Sequence, residues 1–75
     1  MAFEKRHTTD LVQIAAAGGG FRLNAASRHT ADLVQIAAAA GRSGARLTFL
    51  GLGSRQQVDL VQIASAGKGA VCFED

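Results

Sequence analysis

DLVQIA occupies residues 10–15, returns at 32–37 and appears again at 59–64. In a chain of 75 residues, the reading of those six letters decides the fold. The copies extend outward. RHTTDLVQIAAAGG (6–19) and RHTADLVQIAAAAG (28–41) differ only at Thr9/Ala31 and Gly18/Ala40, so 12 of 14 positions match. RQQVDLVQIASAGK (55–68) keeps the leading arginine, the DLVQIA string and Ala66. Self-similarity at a spacing of 20–50 residues is the mark of stacked supersecondary units. Identity this close points to recent duplication or to engineering from a consensus.

Each copy reads as a helix. Leu11, Ile14 and Ala15 fall at i, i+3 and i+4, and Val12 and Ala16 widen the apolar arc. A helix this apolar is covered on more than one side. Its alanines favour the helix and let neighbours approach closely. Asp10, Asp32 and Asp59 fall in the first turn, where a carboxylate meets the positive end of the helix dipole. Ser27 and Ser54 stand where an N-cap would be, and Ser54 with Gln57 has the form of a capping box. Gly18 to Gly20, Gly41 and Gly67 read as C-terminal stops. Helices are therefore expected near 8–17, 28–40 and 55–66.

Between them lie FRLN (21–24), RLTFL (46–50) and AVCFE (70–74). In each, apolar residues alternate with polar ones: Phe21 and Leu23, Leu47 and Phe49, Val71 and Phe73 share faces. Period two with one wet face is the pattern of a half-covered strand. AFEK (2–5) resembles the closing VCFED, so a fourth strand is expected near Phe3. The predicted order is β-α-β-α-β-α-β in one domain, residues 1–75. A single helix in each crossover requires parallel strands and right-handed connections. Alternating strands place the helices on one face of the sheet. The expected fold class is α/β, a parallel sheet bent into a solenoid-like arc.

A unit of strand, turn and helix repeating every 20–29 residues resembles the leucine-rich repeat, most closely at RLTFLGLGS (46–54). Asn24 is the one residue resembling that family's asparagine ladder. The resemblance implies binding on the strand face.

Composition narrows the function. Net charge is +2 and the pI is about 9.3, which permits a polyanion partner without requiring one. The aromatic residues are four Phe, too few to offer stacking platforms for single-stranded nucleic acid. Cys72 is the only cysteine, so no intrachain disulfide forms. The charged start, MAFEKRHTTD, has no apolar run behind it and is not expected to act as a secretory leader. No segment is long and apolar enough for a membrane span. A cytoplasmic location is expected.

Candidate chemistry is sparse. His7, His29 and Cys72 are the residues from which a metal site could be built. The two histidines, however, hold equivalent repeat positions, and the third copy has Gln56 there. The three aspartates are one repeat apart rather than paired. GGGF (18–21) follows a helix and precedes a strand, the reverse of a phosphate loop. GLGS (51–54) has the right order but lacks the rest of either nucleotide fingerprint. No catalysis and no cofactor are expected. Arg6, Arg28 and Arg55, with His7 and His29 beside them, would line up along the helix N-terminal edge. They are the candidate contacts for a polyanion or an acidic partner; otherwise they are solubilising charge. An arc with bare edge strands and apolar end helices invites pairing with another copy. The functional expectation is therefore a non-catalytic, self-assembling structural repeat domain that forms a homo-oligomer. The alternatives are a binding module acting through the arginine edge and a small metal protein.

Overall fold

The computed structural model describes residues 7–74. The order is α1 (Thr8–Ala16), β1 (Phe21–Asn24), α2 (Thr30–Ser43), β2 (Leu47–Leu50), α3 (Gln57–Gly67) and β3 (Val71–Glu74). The three strands are parallel and lie in sequence order, β1-β2-β3. Phe21 pairs with Leu47, which pairs with Val71. Leu23, Phe49 and Phe73 form the second apolar row across the sheet. The fold is the expected α/β class, with a helix in each crossover. The fourth strand expected near Phe3 lies outside the described residues.

One face of the sheet is covered. Phe21, Leu23, Leu47 and Phe49 are buried, while Arg22 and Asn24 are exposed. The helices meet these side chains with Leu11, Ala15, Leu33, Ile36, Ala37, Ala39, Ala40 and Ile63, and Leu52 joins the same core from the β2–α3 loop. On the wet face an ion pair joins Arg22 Nη2 to Glu74 Oε1 at 3.0 Å. Both side chains are more than half exposed (67% and 53%), so solvent leaves this pair little net stabilising effect.

α1 begins at Thr8 as expected, but the starts of α2 and α3 depart from expectation. The N-caps are His7, His29 and Gln56, each extended at φ/ψ of −69°/153°, −74°/148° and −66°/148°. No side chain caps any of the three, and Ser27 and Ser54 lie in the preceding turns. The helices begin at Thr30 and Gln57, two residues inside the expected starts. Near-identical dihedrals at three equivalent positions show that the N-cap conformation is repeated along with the sequence. The aspartates do sit in the first turns, as the dipole argument requires.

Gly18, at φ 95°, follows the end of α1 as expected, whereas the ends of α2 and α3 differ. Gly41 does not stop α2, which continues to Ser43 and is capped by Gly44 at φ 82°. Gly41 serves packing instead. A Cβ there would lie 2.9 Å from the carbonyl oxygen of Gly67 and 3.0 Å from that of Ala66. The two helix backbones thus meet where only hydrogen fits. Gly41→Ala is expected to lower stability by about 1–3 kcal/mol, because the obstructing atoms are backbone and the gain in helix propensity offsets only part of the strain. Urea unfolding followed by circular dichroism should show a lower midpoint with an unchanged slope. α3 likewise runs through Gly67 and ends on Lys68, whose φ of 51° is left-handed.

Candidate interaction site at the helix edge and the end face

Arg28 and Arg55 line up as the repeat requires, and their guanidinium groups are engaged within the chain. Arg28 Nη1 donates to Thr8 Oγ1 at 3.1 Å, and Arg55 Nη1 donates to Thr30 Oγ1 at 2.7 Å. Each arginine therefore reaches back to the first helical residue of the preceding copy. Arg55 Nη2 also donates to the carbonyls of Ala25 and Ala26, at 3.3 Å each, and to that of Arg28. These carbonyls lie in the β1–α2 loop. An arginine at a helix N-terminus opposes that helix's dipole. Its recurrence is explained by the clasp it makes on its neighbour, through the planar fork of donors that only arginine has. Arg28 and Arg55 thus have a structural role along the edge where the sequence suggested an anion contact. Arg6 holds the same repeat position and lies outside the described residues. His7 and His29 are exposed N-cap residues beside this row.

The hydroxyl acceptors were not singled out from the sequence. The signal was present: R-H-T recurs at 6–8 and 28–30, which keeps a donor and an acceptor in fixed relation. A second tie is not repeated. Ser43 Oγ donates to the carbonyl of Ala15 and accepts from the Ala45 amide at 3.3 Å, joining the end of α2 to the end of α1. Asn24 Oδ1 accepts from the Ala26 amide at 3.1 Å and shapes the turn after β1. Gln13, Gln35 and Gln62 are all exposed.

Cys72 is exposed in β3, whereas His7 and His29 cap helices. Among the described residues, no three His, Cys, Asp or Glu side chains come together in a way that could hold a metal ion. No helix there is long and apolar enough to cross a membrane.

The end of the array beyond α3 and β3 is different in kind. Leu11 and Leu33 are fully buried, but the equivalent Leu60 is only half-buried. Ala15 and Ala37 are fully buried, but the equivalent Ala64 is exposed. In the sheet, Leu23 and Phe49 are fully buried, while Phe73 in the same row is 39% exposed. Val58 and Val61 are 57% and 50% exposed on the same helix. A cleft of about 220 Å³ opens here, lined by Leu52, Gly53, Leu60, Phe73 and Glu74. A cluster of large apolar side chains facing water is the informative exception on a soluble surface. Compared with protein-family models, curated proteins and solved structures, the chain matches none.

Proposed function

We propose that this chain is a non-catalytic structural repeat domain that associates with itself. The observation that carries the reading is the apolar end face, where Leu60 is half-buried and Ala64 and Phe73 are exposed at positions fully buried in the earlier copies. The arginine edge supports it from the other side. The groups best suited to grip an anion, Arg28 and Arg55, are engaged in holding one repeat to the next. The repeats form a solenoid-like array in which each unit covers its neighbour, and a small domain with few core residues gains most from a partner. Self-association buries apolar surface that one copy leaves wet.

Size-exclusion chromatography with light scattering tests this. The expected result is a mass above one chain that rises with concentration. A folded species that stays at one chain mass at high concentration sinks the reading.

A further inference from the structure

We infer that the open face of α3 and β3 receives the outer face of α1 from a second copy, head to tail, in the arrangement that α2 and α3 already adopt within the chain. This inference rests on the self-association reading above and specifies which surfaces meet.

The internal junction supplies the template. On α2, Ala37 and Gly41 face α3: a Cβ on Gly67 would lie 3.6 Å from the Ala37 Cβ, and Gly41 abuts Ala66 and Gly67. On α3, the opposing face is Ile63, Ala66 and Gly67, which share one helix side by their spacing. Each helix thus has a forward face built on Ala37 or its equivalent, and a rear face built on Ile63 or its equivalent. The forward face of α3 is Val61 and Ala64, both exposed. The rear face of α1 is Ile14 and Ala17. Ile36 and Ile63 are fully buried, whereas Ile14 is only half-buried; Ala39 is fully buried, whereas Ala17 is exposed. The burial missing at one end concerns forward-face positions, and the burial missing at the other concerns rear-face positions. The two ends are the two halves of a junction that the chain forms twice internally.

The arginine clasp has the same direction. Its donors, Arg28 and Arg55, sit at the rear of their copies, and its acceptors, Thr8 and Thr30, at the front of the copies before. Gln57 occupies the acceptor position of Thr8 and Thr30 in the last copy, and its side-chain oxygen can accept as their hydroxyls do. Arg6 occupies the donor position in the first copy. Lys68 stands where Gly41 allows close approach, so the second copy sits further from α3 at that end than α3 does from α2. A head-to-tail contact uses two different surfaces, so each dimer keeps one of each free and growth continues to a ring or a filament.

Two exposed alanines allow a decisive test. Ala64→Glu blocks the forward face and Ala17→Glu blocks the rear face. A carboxylate buried without a partner in either junction is expected to weaken self-association at least ~tenfold. Each variant alone should run as a monomer. Mixed in equal amounts, they should form a one-to-one dimer that grows no further, because each retains the face the other lacks. Val61→Lys and Ala17→Arg repeat the test, and circular dichroism confirms that each variant is folded. If Ala17→Glu still self-associates while Ala64→Glu does not, and the mixture gives no hetero-complex, the end face pairs with itself and the inference is overturned. If neither substitution affects assembly, the contact lies elsewhere and the inference also fails. Both of those outcomes leave self-association standing. A wild-type chain that is monomeric throughout removes the parent reading instead.

Discussion

Phe49→Ala is expected to destabilise the fold by about 3–5 kcal/mol, the usual cost of emptying a buried aromatic site. Phe49 is fully buried in the central strand, between the rows of β1 and β3 and beneath the helices. A 75-residue domain has roughly 4–11 kcal/mol of stability in total, so this one truncation removes a large share of it or all of it. Phe73→Ala is the matched control. It stands next to Phe49 in the same cross-strand register, yet it is 39% exposed. Partial burial leaves less transfer energy to lose, about 1–2 kcal/mol, and the cavity term is small where water already reaches. Urea unfolding at a dilute concentration separates the two residues. Equal losses for both would show that the end strand is as well covered as the central one.

Arg55→Ala is expected to cost about 2–3 kcal/mol, the scale of hydrogen bonds made by a charged donor together with the acceptors they leave behind. The loss follows from what Arg55 gathers: the Thr30 hydroxyl and three carbonyls of the loop before α2. Arg55→Lys should recover less than half of it. An ammonium is a compact charge and cannot reach the hydroxyl and the carbonyls through two separated nitrogens. Pairing Arg55→Ala with Thr30→Val in a double-mutant cycle should give a coupling of about 1 kcal/mol for the hydroxyl bond alone. A coupling near zero would mean that the carbonyls hold Arg55 without the threonine. Thermal unfolding of the four proteins provides the measurement.

Much of this architecture is legible in the chain. Leu11, Leu33 and Leu60 recur with their isoleucines at helical spacing, and the strands alternate as a half-covered sheet must. Both patterns are local consequences of side-chain direction, so they can be read one segment at a time. Parallel pairing in sequence order followed because one short helix joins each strand to the next. The helix ends were less legible. Gly41 has the appearance of a stop, but a glycine that ends a helix and one that admits a neighbour are the same residue in the sequence. Only the approach of Gly67 decides between them. The serines read as caps because they stand near the helix starts, whereas the extended residues that cap the helices are His29 and Gln56.

The candidate site shows the same division. From the sequence, the arginine row is three charges along one edge, read first as solubilising charge and otherwise as an anion contact. The tertiary structure places the guanidinium of Arg55 on Thr30 and that of Arg28 on Thr8, because stacking consecutive copies brings the start of one helix beside the start of the next. The end face was the least legible feature of all. DLVQIA is spelled identically in its third copy, yet Leu60 is half-buried and Ala64 exposed where Leu33 and Ala37 are sealed. By itself the sequence determined which residues turn toward a neighbour, because that depends on the periodicity of one segment. Only the tertiary structure decided which of them has a neighbour, because burial depends on what is stacked beyond and identical residues differ according to their place in the array.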